Sequence, residues 1–284
     1  MKRPILKFLR KNYDFYSNGA RLSAEIIGPP EKNLVSDSTL VFLHQGLGSI
    51  PQWKDFPLLL SLETNLAAVI YDRAGYGSSD PKPQPRNFNY LYEEAQSVLP
   101  DALEQFEIDS TILIGHSDGG SIALLYAGLF PEKVQGIITE AAHVFVEQKT
   151  VEGIKDALAA FDEPELRNRL VKYHGIHTDT ILQDWEDIWL NPDYFNWNIE
   201  SSLSQITAPT LVIQGENDQY GTLSQVDAIV EQVSGPVEKF IISECGHSPH
   251  LQAKQLVLER MSRFVNAIVS DRSHYRNYSG SPST

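Results

Sequence analysis

The chain is poor in cysteine, in basic residues and in long apolar runs, and each shortage excludes something. A single cysteine, Cys245, among 284 residues rules out an internal disulfide and any zinc cluster built on several thiolates. Nothing therefore calls for an oxidising compartment, and the cytoplasm is the expected location. Lys and Arg number 23 against 37 Asp and Glu, a formal net charge of −14. With no basic stripe, long-range repulsion opposes both nucleic acid and anionic membranes as partners. Nowhere do about 18 uncharged apolar residues run together, as a membrane-spanning helix requires. The N-terminal stretch Pro4–Leu9 is cut by Lys7 and closed by Arg10, too short for a signal-peptide core. What is present is an ordinary globular composition, 42% apolar and 21% charged. At roughly 150 residues per domain, the length fits one large domain or one domain carrying a substantial insertion.

Hydrophobic patterning gives the organisation. Tyr13–Tyr16 and Arg21–Ile27 flank an Asn18-Gly19 pair that supplies the positive φ angles of a tight hairpin turn. Short apolar runs follow at Thr39–Leu43, Leu66–Tyr71, Thr111–Gly115 and Val134–Thr139, each suited to a strand buried on both faces. Helical spacing separates them at Tyr90–Phe106 and Ser121–Leu129. This alternation predicts an α/β fold with a mostly parallel sheet. It resumes with a strand at Thr210–Ile213, a helix near Leu223–Val233, a strand at Val237–Ile242 and a closing helix from Pro249 to Val269. Between Val144 and Ile206 the pattern is purely helical, with stretches near Val151–Phe161, Pro164–Tyr173 and Asp179–Leu190. From Glu147 to Glu200 there are 12 acidic and 5 basic residues, so 7 of the 14 excess negative charges fall in this segment.

The most informative residues are Gly115-His116-Ser117-Asp118-Gly119-Gly120, which place G-x-S-x-G between an apolar strand and a helix. Such a turn holds the serine in a strained backbone conformation with its hydroxyl exposed, and the flanking glycines admit close approach of strand and helix. Serine at its ordinary pKa needs a base, and the base needs an orienting carboxylate. Asp218, in Gln214-Gly215-Glu216-Asn217-Asp218, and His247, in Glu244-Cys245-Gly246-His247, follow in that order, each just beyond a strand. Ser117, Asp218 and His247 thus all fall at carboxyl ends of strands, where open α/β sheets place their sites. A tetrahedral intermediate also needs two amide donors. The glycine-rich loop His44-Gln45-Gly46-Leu47-Gly48-Ser49 sits where one is expected, so the donors are the N–H of Asp118 and that of Gly46 or Gln45. Asp118 enters through its amide, with no proton-transfer role for its carboxylate.

On these residues the chain resembles the α/β-hydrolases with a helical cap, over roughly residues 13–268. The matches are His44-Gln45-Gly46-Leu47-Gly48 as the oxyanion loop, Tyr71-Asp72-Arg73-Ala74-Gly75-Tyr76-Gly77-Ser78-Ser79 as the turn after the fourth strand, the serine turn, Asp218 and His247. The resemblance implies an eight-stranded, mostly parallel sheet with helices on both faces. Residues 1–143 and 207–269 then form the core, 144–206 a cap inserted after the sixth strand, and 270–284 a polar, flexible tail. It also implies that Arg73 braces neighbouring loops. Gln45 departs from the glycine that many members carry. Serine, where haloalkane dehalogenases and soluble epoxide hydrolases have aspartate, disfavours both of those chemistries.

Tyr173, Trp185, Trp189, Tyr194, Phe195 and Trp197 cluster in the inserted segment, and Tyr220 follows Asp218 closely. Trp185 and Trp189, four apart, share a helix face. These aromatics read both as a roof selecting an apolar acyl or alcohol group and as the glue of the segment itself. His143, Trp185, Trp189 and Tyr220 are the candidate substrate contacts. His174 and His177 have a metal-compatible spacing but no third ligand, and read as a solvated loop. His250 could share a face with His247, but the Gly-His pattern of the resemblance selects His247. The expected protein is a cofactor-free, metal-free serine hydrolase of the carboxylesterase kind, acting on a small ester or acyl compound. The same constellation also serves C–C bond hydrolases, perhydrolases, acyltransferases and proline iminopeptidases, although the last favour Gly-Gly-Ser-x-Gly where His116 stands here. A ligand receptor with little turnover is the alternative from outside enzymology.

Overall fold

The structure, a computed structural model, describes residues 9–29 and 38–278, with 271–278 as backbone only. The charged N-terminal stretch at residues 1–8 and the end of the tail, 279–284, lie outside the described residues. Eight strands form one sheet in the order β1-β2-β4-β3-β5-β6-β7-β8. They are β1 Leu9–Ser17, β2 Ala20–Gly28, β3 Thr39–Leu43, β4 Ala68–Tyr71, β5 Thr111–His116, β6 Val134–Glu140, β7 Thr210–Gly215 and β8 Val237–Ile242. Strands β3 to β8 are parallel, whereas β1 and β2 pair antiparallel and β2 runs antiparallel to β4. The sheet is thus the expected mostly parallel α/β sheet with a mixed edge. Asn18 at φ 49 and Gly19 at φ 80 make the hairpin turn between β1 and β2.

The apolar runs are continuous because both faces of each strand are covered. In β3, Leu40 and Phe42 join Ile112, Ile114 and Ile138 on the face under α1 (Phe56–Thr64). Their neighbours Val41 and Leu43 join Leu113, Ile137 and Val212 on the opposite face. There they meet α2 (Tyr90–Glu93), α3 (Leu99–Gln105) and α4 (Asp118–Leu129). The period of two along a strand therefore divides one run between two cores. The helix predicted from Tyr90 to Phe106 is present but contains a π-helical turn at Glu94–Val98. Pro100 just beyond cannot donate to the carbonyl one α-turn back, and the ladder widens there.

Between β6 and β7 lie α5 (Gln148–Phe161), α6 (Pro164–His174), α7 (Thr178–Trp189) and the one-turn α8 (Glu200–Leu203). The two ends of this segment meet, since Phe145 bridges Asn198 antiparallel and Ile199 N–H donates to the Val144 carbonyl at 2.8 Å. Helix α9 (Leu223–Gln232) follows β7, with the Thr222 hydroxyl capping its first turn at Ser224 N–H. The single helix expected from Pro249 to Val269 is broken at Ala253 into α10 (Pro249–Gln252) and α11 (Lys254–Tyr278). Its backbone also continues past Val269 into the stretch expected to be a flexible tail. Among the described residues no helix is long and apolar enough to cross a membrane.

Candidate active site

β5, β6, β7 and β8 are neighbours in the sheet, and β3 lies beside β5. The loops that leave β3, β5, β7 and β8 all emerge at one edge, which brings together segments far apart in the chain. Ser117, between β5 and α4, has φ 54 and ψ −118, a conformation that costs a residue with a side chain. The glycines around it are dictated by space. A Cβ on Gly115 would stand 2.1 Å from the Gly119 carbonyl oxygen, and one on Gly119 only 1.9 Å from that of Leu43. The Ser117 N–H is anchored on the Glu140 carbonyl at 2.8 Å.

Asp218 and His247 arrive from the ends of β7 and β8. The His247 Nδ1–H donates to both Asp218 carboxylate oxygens, at 2.8 and 2.9 Å, which leaves Nε2 as the free ring nitrogen. Asp218 is buried and also accepts from the N–H groups of Tyr220 at 2.8 Å and Gly221 at 3.3 Å, and from the Gln214 amide at 3.0 Å. Burial alone would raise its carboxyl pKa; the charge and hydrogen bond of His247, with the Tyr220 N–H, hold it below the ordinary carboxylate value.

The His44–Ser49 loop is fixed by Arg73, which is almost fully buried. Its Nη2 donates to the Gln45 carbonyl at 2.7 Å, its backbone N–H to His44 Nε2 at 3.2 Å, and its Nη1 pairs with Asp118 Oδ2 at 3.3 Å. Burial, with the nearby Arg73 charge, pushes the His44 imidazole well below its ordinary pKa, so it is neutral. The carboxylate of Asp118 is more engaged than the sequence suggests. Besides Arg73 it accepts from the Tyr90 hydroxyl at 2.9 Å, and Tyr90 in turn accepts from Trp189 Nε1 at 3.0 Å. A polar chain thus runs from α7 through Asp118 to the Gln45 carbonyl. The Asp118 N–H opens α4, in the first turn, where amides have no intrahelical acceptor.

These groups surround one cavity of about 410 Å³, counting the open space at its mouth. Ser117, Asp118, Gln45, Gly46, His247, His143, Trp185, Trp189 and Tyr220 all line it, so every candidate residue except Asp218, which stands behind His247, reaches the same space. Thr150 and Ile154 of α5, with Leu47, complete the wall and were not singled out by the sequence. Periodicity marks Ile154 only as an apolar helix position, and nothing distinguishes Thr150 from a surface threonine. Tyr220 packs edge-on against the His247 ring, with centroids 4.6 Å apart. The His143 Nε2–H donates to the Tyr220 carbonyl, 3.2 Å away, and burial lowers its pKa. His174 is not solvated. It is buried, with Nδ1 accepting from Gly77 N–H and Nε2 donating to the Leu47 carbonyl, both at 3.1 Å. Those two bonds engage both ring nitrogens, and among the described residues no three His, Cys, Asp or Glu side chains gather as a metal site.

Comparison with known proteins agrees with this fold. Residues 40–260 match the alpha/beta hydrolase family. A proline iminopeptidase of Saccharolobus solfataricus is 23% identical over 275 residues, covering 83% of this chain and 87% of the relative. A 2-hydroxy-6-oxo-6-phenylhexa-2,4-dienoate hydrolase of Comamonas testosteroni is 25% identical over 236 residues, covering 73% and 80%. Among solved structures, an esterase from Exiguobacterium antarcticum superposes with a TM-score of 0.70 at 20% identity, covering 90% of this chain and 99% of that one. With its family match spanning most of the chain and its eight-stranded sheet, the protein belongs to the alpha/beta hydrolase family.

Proposed function

We propose that the protein is a serine hydrolase of small, uncharged carboxylic esters or related acyl compounds, needing no metal or organic cofactor. The observation that carries this is the Asp218-backed His247 sharing one cavity with a strained Ser117. Ser117 attacks the carbonyl, His247 takes its proton and returns it to the leaving group, and Asp218 holds the imidazole tautomer. The N–H of Asp118 and one from the Gln45–Gly46 pair receive the oxyanion. Water then releases the acyl group from Ser117. Residues 144–206 act as a cap over a core of 1–143 and 207–269, and their aromatic side chains exclude water from the acyl group.

The wall chemistry bears on the substrate. Among the described residues no Lys or Arg lines the cavity, so a carboxylate of the kind named for the Comamonas relative's substrate finds no counter-ion there. Among the described residues the one carboxylate on the wall, Asp118, is already paired with Arg73, which argues against capture of the free imino terminus implied by the iminopeptidase relative's name. Hydrolysis of p-nitrophenyl esters from acetate to decanoate tests the reading, with Ser117→Ala beside the wild type. Wild-type turnover is expected at about 1 per second or faster on the best chain length. Loss of the nucleophile should lower kcat by about 10³-fold or more. Equal rates in the two proteins, or wild-type turnover below about one per hour on every ester, would overturn it and favour a receptor.

A further inference from the structure

Close to His247 lies a second carboxylate–imidazole pair for which the mechanism above has no use. Glu140, the last residue of β6, is completely buried. Its Oε2 accepts from His250 Nδ1 at 2.7 Å and from the His250 backbone N–H at 3.1 Å. Its own backbone carbonyl accepts the Ser117 N–H at 2.8 Å. One residue therefore grips the serine turn through its main chain and the segment carrying His247 through its side chain.

The ring of His116 supplies a second tie between the same two segments. Its Nε2–H donates to the His247 carbonyl at 2.7 Å, and its centroid lies 5.1 Å from that of His247 and 5.0 Å from that of His250. Trp53 closes over His250 at 4.7 Å. The three imidazoles and Glu140 thus form a packed block under the ends of β5, β6 and β8.

Stability alone does not explain a carboxylate in this place. Glu140 Oε1 is buried with no hydrogen-bond partner among the described residues, and an orphaned buried acceptor is destabilising. The chain then leaves Glu140 through Ala141 at φ 51, a left-handed conformation unfavourable for a residue with a Cβ. An apolar residue would avoid the first of these costs, since replacing both partners of a buried hydrogen bond by apolar groups of the same shape can be nearly neutral. What an apolar residue cannot do is set the distance between the Ser117 main chain and the His247 loop.

We propose that Glu140, acting through His250, is a positioning residue that holds His247 in register with Ser117. The inference rests on the serine hydrolase reading. Its loss should be felt in the chemical step rather than in substrate binding, because neither Glu140 nor His250 lines the cavity that holds Ser117. A misplacement of the base by about 1 Å costs on the order of 10²-fold in rate.

The test uses the full chain as wild type, Glu140→Ala, His250→Leu and His250→Asn. For each, kcat and KM on a p-nitrophenyl ester, the rate of labelling by a fluorophosphonate, and Tm are measured. Glu140→Ala and His250→Leu are expected to lose about 10- to 100-fold in kcat and in labelling rate, with KM within about twofold. His250→Asn, whose amide can donate to Glu140 from the place of Nδ1, should keep kcat within about fivefold. Should Glu140→Ala fail to fold, the two His250 variants decide. A folded His250→Leu that turns over and labels like the wild type overturns the inference, as does an equal loss in His250→Leu and His250→Asn. If the wild type itself neither labels nor hydrolyses esters, the hydrolase reading has failed and this inference with it. Wild-type labelling beside unaffected variants sinks the positioning role alone.

Discussion

Arg73 is where the two sides of the proposed oxyanion hole meet, since one guanidinium reaches both the Gln45 carbonyl and the Asp118 carboxylate. A planar fork is needed for that; a lysine ammonium can serve one partner or the other. Replacing Arg73 by Met keeps the volume but strands a buried carboxylate with only Tyr90 to answer it. Removing one member of a buried pair typically costs about 3–5 kcal/mol, so Arg73→Met is expected to lower the urea midpoint by that equivalent. Arg73→Met with an unchanged midpoint would show that the pair adds nothing to the fold. Single residues also mark how far the sequence can be read. Ser117, Asp218 and His247 are legible because each belongs to a local pattern at the end of an apolar strand. The Asp118 carboxylate and Glu140 are not. Their meaning depends on partners such as Tyr90 and His250, the latter 110 residues away, and adjacency in sequence says nothing of either.

At the scale of elements, the end of α6 is pinned to the core by His174, whose two ring nitrogens are committed to Gly77 and Leu47. Burial pushes its pKa down from 6.5 to about 4. Protonating Nδ1 would turn it toward a donor, so the folded protein refuses a proton that the unfolded chain accepts. The stability linked to this group is therefore complete above pH 6.5 and drains as pH falls toward 4, by about 1.4 kcal/mol per unit. Asp72, raised to about 6 chiefly by burial, works in the opposite sense, losing stability as pH rises. That contribution is common to wild type and variant and cancels in their difference. The Tm advantage of wild type over His174→Asn should accordingly shrink between pH 6.5 and 4; a gap that stays constant across that range would refute the assignment. Elements were legible to the same degree as their burial was uniform. Strands covered on both faces announce themselves as apolar runs, and the Asn18-Gly19 turn carries its own signal. The π-helical turn before Pro100 and the break at Ala253 do not, because hydrophobic spacing is nearly the same on either side of them.

For the molecule as a whole, the dominant long-range fact is a net charge of −14, half of it in the helical segment that carries Trp185 and Trp189. That segment contributes Thr150, Ile154, Trp185 and Trp189 to the cavity wall, and among the described residues no Lys or Arg lines it. Fields of this kind act on encounter and on local concentration, so they enter kcat/KM rather than kcat. Salt removes them: the Debye length falls from about 30 Å at 0.01 M to about 8 Å at 0.15 M. An ester carrying a remote carboxylate, such as a p-nitrophenyl hydrogen glutarate, should gain about threefold in kcat/KM over that range as repulsion is screened. The neutral butyrate ester, which feels no such field, should change by less than about 1.5-fold over the same range. The sign of the difference is the test. A charged ester that slows with salt would mean that an unseen positive field guides it in, and the preference proposed here for uncharged acyl compounds would have to be abandoned.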